Sequence, residues 1–233
     1  MNDHDHVHVR PGRGERFSTV VADPPWPYAT PGKGPLQSSK EHRPKSYDYS
    51  RNGATAGSSA RSRYGLMKLE EIKALPVEQH VGANAHLYLW TTNAFVVQAH
   101  EVAAAWGFRP VTLLTWVKVK PGTAEPSMKT GYYFRGATEH AVFAVRGSLR
   151  LRTKRGISTA FVHPRTELRV LESRGSRATA RRSHSVKPDA FFDLVRKCSP
   201  GPYLEMFARR PRQGWSVWGN EVESDFRFED GSK

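Results

Sequence analysis

The chain reads as an α/β protein, a mostly parallel twisted sheet covered by helices on both faces. Three observations predict it. Apolar runs of strand length alternate with stretches of helical periodicity from residue 17 to residue 222. The 233 residues, 38% of them hydrophobic, suffice for one domain with a sizeable core. The first apolar run ends in Asp23-Pro24-Pro25-Trp26, a polar and aromatic cluster where open α/β sheets place their ligands.

Residues 1–16 are polar and aperiodic and read as a flexible arm with no signal peptide. Their His4-Asp5-His6-Val7-His8 run lacks the further ligands of a metal site, so no metal is expected. Phe17–Ala22 is the first strand. Residues 29–63 are rich in Gly, Ser, Lys and Arg and form a long basic loop. Lys68–Leu75 reads as a short helix stopped by Pro76, and Ala85–Thr91 as a buried strand. Ala94–Trp106 is a helix with Phe95, Ala99, Val102, Ala103 and Trp106 on one face and Gly107 as its stop. Val111–Val119 and Glu139–Val145 are strands; Phe161–His163 and Leu168–Leu171 are weaker ones. Pro188–Cys198 is a helix with proline at its first position. Tyr203–Ala208 and Trp215–Trp218 complete the sheet, and 223–233 is a tail. No internal repeat is present.

Composition narrows the function classes. No stretch has the length of a membrane span, and a single cysteine, Cys198, excludes an internal disulfide and fits a reducing, cytoplasmic compartment. The formal charge of +14 suits a polyanionic partner, nucleic acid above all. Between Arg146 and Arg182 stand eleven Lys/Arg, among them Arg174, Arg177, Arg181 and Arg182, against only Glu167 and Glu172. That segment, 146–182, is expected to contact the phosphate backbone as substrate-facing loops around short strands. The alternative is a merely solvated basic face.

The cluster after the first strand carries chemistry. The exocyclic amine of adenine is a poor nucleophile because its lone pair is delocalised into the ring. A carboxylate at Asp23 and the carbonyl of Pro24, accepting its two hydrogens, draw the nitrogen toward tetrahedral geometry and free that pair. Prolines 24 and 25 stiffen the loop. A carboxylate is too weak a base to deprotonate a neutral arylamine, so Asp23 is assigned orientation and stabilisation of developing positive charge. Trp26 and Tyr28 are expected to stack on the base. The plain alternative is an ordinary acid-proline turn.

Asp23-Pro24-Pro25-Trp26 resembles the signature of the MT-A-seventy family of adenine-N6 methyltransferases. Ser183-His184-Ser185-Val186-Lys187-Pro188-Asp189 is similar to the family's segment leading into the helix before the cofactor strand. Tyr203–Pro211 resembles its glutamate-x-phenylalanine-x-arginine strand, and Gly214-Trp215 with Gly219-Asn220-Glu221 its last motif. Gly131–Gly136 and Thr138-Glu139-His140 resemble the middle segment of compact microbial and phage members. The resemblance implies a Rossmann-like methyltransferase fold with permuted motif order, since only 22 residues precede the acid-proline-proline-aromatic loop.

It further implies S-adenosylmethionine as cofactor, with Lys187 on its carboxylate and Pro188 beside it. Arg209 and Asn220 would face the ribose, Glu205 and Phe207 would line the pocket, and Asp23 would contact the amino-acid end. Glu221 stands where the family often has an amide. Arg135, Glu139 and His140 would meet the substrate with Trp26 and Tyr28. DNA is the expected partner, ahead of RNA; a catalytically silent nucleic-acid-binding scaffold is the reading of a different class. A compact member implies a bacterial or phage-infected cytoplasm and leaves monomer or family-type dimer open.

Overall fold

The computed structural model describes residues 16–27, 66–128, 133–153, 155–164, 166–172, 179–226 and 228. Its centre is a seven-stranded sheet: β1 (Phe17–Ala22), β2 (Val81–Thr91), β3 (Arg109–Val119), β4 (Thr138–Arg146), β5 (Ala160–Pro164), β8 (Tyr203–Met206) and β9 (Ser216–Trp218). The spatial order is β5-β3-β4-β2-β1-β8-β9. β1 pairs in parallel with β2 and β8, β8 with β9, and β3 with β5. Only β4 runs against its neighbours β2 and β3. The exception matters because it carries the first residues of β4 to the edge where the parallel strands end. The mostly parallel α/β architecture expected from the sequence is present.

Alternation along the strands sends successive side chains to opposite faces. On one face Val20, Ala22, Leu87 and Leu89 pack with Ala99, Val102 and Ala103 of α3 (Val96–Ala105), and with Ile72 of α1 (Leu69–Lys73) and Val77 of α2 (Val77–His80). On the other, Val21, Tyr88 and Trp90 pack with Phe191, Phe192 and Val195 of α4 (Asp189–Cys198). α1 opens with the Lys68 N–H donating to the Glu71 carboxylate (2.7 Å), and α3 stops at Gly107, whose φ of +80° suits a residue without a Cβ.

Several boundaries differ from the sequence reading. Pro76 does not simply end a helix; it caps α2, which periodicity over four residues could not announce. β2 begins at Val81, four positions before the apolar density of Ala85. Pro188 is the N-cap of α4 and Asp189 its first residue, in place of proline at the first helical position. β8 stops at Met206 because Phe207 turns to φ +60°, a conformation costing a non-glycine residue about 1–2 kcal/mol.

The basic 146–182 segment is less of a loop than expected. It contains β5, β6 (Thr166–Glu172) and the start of β7 (Thr179–Val186), the last two pairing antiparallel as a separate hairpin. β7 was missed because Thr-Ala-Arg-Arg-Ser-His-Ser-Val shows little apolar alternation. The start of the expected tail is docked: Phe226 meets Phe17 edge-on at 5.3 Å, Phe228 meets Trp218 at 4.9 Å, and Asp225 Oδ1 accepts the Val217 N–H. Residues 1–15 of the expected arm, the 29–63 loop and the end of the tail lie outside the described residues.

Candidate active site

Asp23 follows the last residue of β1, between α3 on one face of the sheet and α4 on the other, which is where open α/β sheets bind ligands. Its backbone N–H donates to Met206 O of β8 at 3.4 Å. Lys187, just past β7, places its Nζ 2.7 Å from Asp23 Oδ2 and 3.3 Å from Glu139 Oε2. Glu139 Oε1 in turn receives a short hydrogen bond from Lys118 Nζ. Arg209 Nη2 stands 3.9 Å from Asp23 Oδ2, and its Nε 3.9 Å from Glu221 Oε1. The result is an alternating row of charges, Asp23–Lys187–Glu139–Lys118, with Lys187, Glu139 and Lys118 buried.

Burial alone would drive the Glu139 carboxyl up, yet the ammonium groups of Lys187 and Lys118 outweigh it and hold it down at about 2. For Lys187, burial pushes the ammonium down while Asp23 and Glu139 pull it up, and the carboxylates win. The Lys187 Nζ also sits 5.0 Å from the centre of the Trp90 ring. Every described contact of the Asp23 carboxylate falls on Oδ2, so Oδ1 is left to accept a hydrogen from a ligand.

Beside Asp23 opens a cleft lined by Val21, Trp90, Val186, Lys187, Phe192 and Glu205, continued by Met206, Phe207, Arg209, Arg210 and Arg212. Arg212 Nε donates to Glu205 Oε2 at 2.7 Å, its Nη1 to Asp189 at 2.7 Å, and its guanidinium lies 3.3 Å from the centre of the Phe192 ring. Burial raises the Glu205 carboxyl despite that arginine. The mixture suits S-adenosylmethionine: carboxylates for a sulfonium and an ammonium, cations for a carboxylate, and apolar walls for a purine. Trp90, which lines the cleft, has a buried indole N–H with no acceptor among the described residues.

The structure therefore joins Asp23, Lys187, Glu205, Phe207 and Arg209 at one cleft, with Glu139 behind Lys187 and Glu221 at Arg209. Asn220 is exposed after β9 and is not among the residues lining the cleft; Pro188 is buried but likewise off the wall. His140 is half-buried, with Nδ1 3.1 Å from Thr115 Oγ1 and Nε2 3.2 Å from Asn93 Oδ1; burial lowers its pKa. Arg135 lies exposed just before β4.

Two expectations need correcting. Trp26 is only 2% exposed, stacks on Phe95 at 5.6 Å and donates its Nε1–H to Trp90 O at 3.0 Å. A ring so enclosed is a core residue and offers no face to a base. The Pro24 carbonyl accepts the Trp26 N–H at 2.9 Å and the Pro25 carbonyl the Met67 N–H at 3.1 Å, so neither is wholly free; Pro24 keeps one lone pair for a substrate.

Tyr28, Arg174 and Arg177 lie outside the described residues; Arg181 and Arg182 are placed on β7 by backbone alone, opposite Val170 and Arg169. Sequence reasoning passed over Lys118 and Arg212, took Trp90 and Phe192 for core, and left open which of Arg209 and Arg210 faces the cofactor. The doubled Arg209-Arg210 close before it was the one local signal for Arg212.

Comparison with known proteins places this arrangement. The MT-A70 family model matches residues 17–221. The chain is 28% identical over 210 residues to the type II methyltransferase M.MunI of Mycoplasma sp, covering 89% of this chain and 78% of that protein. It is 30% identical over 215 residues to the N6-methyladenosine RNA methyltransferase MTA1 of Cryphonectria parasitica, covering 88% of this chain and 52% of the relative. It is 26% identical over 166 residues to the N(6)-adenosine-methyltransferase catalytic subunit METTL3 of Homo sapiens, covering 69% of this chain and 25% of that protein. The chain thus spans most of the first relative, about half of the second and a quarter of the third. With its acid-proline-proline-aromatic loop, its cleft and a match running almost end to end, this chain belongs to the MT-A70 family of methyltransferases.

Proposed function

We infer that the protein transfers a methyl group from S-adenosylmethionine to the exocyclic N6 amine of adenine in DNA. The observation that carries the reading is the Asp23 carboxylate, pinned through Oδ2 by Lys187 at the mouth of the cleft, with Oδ1 left to accept an amine hydrogen. The cofactor supplies an electrophilic methyl carbon on a sulfonium. Lys187 and Arg209 are the candidates for its carboxylate; Lys187 gives one hydrogen bond to Asp23 and lies 3.3 Å from Glu139 Oε2, so at most two of its three donors remain for a ligand. Glu205 and the walls formed by Phe192, Met206 and Phe207 would hold the nucleoside half.

Asp23 Oδ1 and the second lone pair of the Pro24 carbonyl accept the two amine hydrogens, turning the nitrogen lone pair toward the methyl carbon. Asp23 then faces the positive charge that would grow on nitrogen as the N–C bond forms and the methyl–sulfur bond breaks; the neutral thioether would leave, and one amine proton would pass to water. Alignment of this kind supplies on the order of 7–11 kcal/mol of barrier lowering. In a duplex the adenine must first leave the stack, at a cost of a few kcal/mol.

DNA is favoured by the length of the match to the type II methyltransferase M.MunI, 78% of which is covered, against 52% of the RNA methyltransferase MTA1. The same chemistry on RNA is the second reading, supported by the 30% identity to MTA1. Expression in a host lacking adenine methylation, followed by mass analysis of nucleosides from separate DNA and RNA pools, distinguishes the two. N6-methyladenine is expected in DNA and absent after Asp23→Asn, with cofactor affinity of that variant within a few-fold. Modified adenine confined to RNA overturns the DNA reading; full activity in Asp23→Asn overturns the mechanism.

A further inference from the structure

The ring that the sequence assigns to the target base is enclosed in the core, but two aromatic side chains stand open elsewhere. Phe134 is 91% exposed and its neighbour Tyr133 78%, the two exposed aromatics among the described residues. Leaving a phenylalanine in water forgoes the stabilisation that its burial would bring. Isolated exposed apolar residues are ordinary, so position has to decide.

The position is on the segment that leads into the site. Phe134 lies five positions before Glu139, the partner of Lys187, a span of at most ~18 Å even fully extended. One backbone bond ties the chain between them: Ala137 O accepts the Lys118 N–H at 2.8 Å. Because β4 runs antiparallel, this segment leaves the sheet at the edge where Asp23 emerges. Arg135 follows immediately, and the chain carries a net charge of +14. A second copy of so basic a chain is a poor occupant for this patch; a polyanion presenting flat apolar faces is a good one.

We propose that Phe134, with Tyr133 at its side, is a base-stacking contact for DNA, receiving a nucleobase that flanks the target adenine. The assignment rests on the DNA reading above and adds to it the residue that grips the neighbouring base. Stacking on an aromatic ring is sequence-tolerant because every base has a π-face, and it contributes about 1–3 kcal/mol per base. Unlike a phosphate contact it releases no counterion, so it leaves the salt dependence of binding unaltered.

The experiment uses the full chain and adenine-unmethylated plasmid duplex as probe, measuring DNA affinity across a salt titration, S-adenosylmethionine affinity and methyl incorporation. Phe134→Ala is expected to weaken DNA binding roughly 5- to 150-fold. The slope against salt and the cofactor affinity should not move, and Phe134→Trp should restore binding. DNA affinity within two-fold of wild type, a flattened salt slope, or no restoration by tryptophan overturns the proposal. So does a smaller sedimentation coefficient in Phe134→Ala, which would make the patch a contact between copies. Failure of the wild type to methylate the plasmid would instead refute the DNA reading, and it is seen before any variant is compared.

Discussion

Replacing Glu139 by glutamine keeps the shape of the side chain and leaves two buried ammonium groups, Lys118 and Lys187, facing a neutral amide. Those cations overcome the burial of the carboxyl and hold it at about 2, against an ordinary value of 4.5. The difference corresponds to about 3 kcal/mol favouring the charged form. Removing one member of a buried ion pair typically costs about 3–5 kcal/mol, the same order and a large share of a domain's total stability.

The pH dependence has a definite sign. A carboxyl whose folded pKa is depressed contributes fully above its unfolded value, and the contribution fades as pH falls from about 4.5 toward 2. Lys187 is raised by its partners against the opposing effect of burial; its contribution is lost only as pH rises through its folded value, far on the alkaline side. Urea unfolding of wild type and Glu139→Gln across pH should therefore show a gap of about 3 kcal/mol at neutrality, shrinking to roughly half near pH 3. A neutral-pH gap below about 1 kcal/mol, the size of an ordinary surface change, would refute the buried network. A gap that stays constant down to pH 3 would show that shape, and not charge, was lost.

Two further substitutions probe the cleft and its frame. Lys187→Ala removes the donor that pins Asp23 and should weaken S-adenosylmethionine binding by about 10- to 150-fold, the range for a hydrogen bond to a charged group; an unchanged dissociation constant by calorimetry would remove Lys187 from the cofactor site. Gly219→Ala would put a Cβ 2.2 Å from Ala208 O and 2.6 Å from Ala208 N, where β9 closes on the strand end leading to Phe207 and Arg209. An overpacking cost of about 1–3 kcal/mol should lower the melting temperature, and an unshifted transition would mean that β9 moves aside freely.

How much of this was legible in the sequence depended on whether the signal was local. β1 and Asp23 could be read together because an apolar run and its terminating acid are adjacent, and α4 because Phe191, Val195 and Cys198 repeat at helical spacing. β7 could not, since a hairpin strand rich in arginine and serine shows no apolar alternation along its sequence. The error over Trp26 has the same root. An aromatic ring beside an acid at a strand end suits either a base platform or the lid of a core. The choice is made by Phe95, which follows a different strand and stacks on it. Glu139 was located near the substrate by resemblance, but its two lysine partners lie 21 and 48 residues away, a relation that only the β3–β4 register and the placement of β7 reveal.

That network also bears on how one carboxylate can serve the reaction. Asp23 has two cations near its Oδ2, Lys187 at 2.7 Å and Arg209 at 3.9 Å, and alone they would overcompensate it. An amine acquiring positive charge beside it would meet a net repulsion; at an effective dielectric of 20 a unit charge 4 Å away contributes about 4 kcal/mol. Each cation, however, is shared with a second carboxylate: Glu139 lies 3.3 Å from Lys187, and Glu221 lies 3.9 Å from Arg209. Dividing the cations between two acids leaves Asp23 held in place yet able to present negative potential through Oδ1. On this view Glu139 is a positioning residue. Its loss should lower the rate of methyl transfer at saturating substrate more than it weakens DNA binding, because the anchored lysine would then turn its whole charge on Asp23.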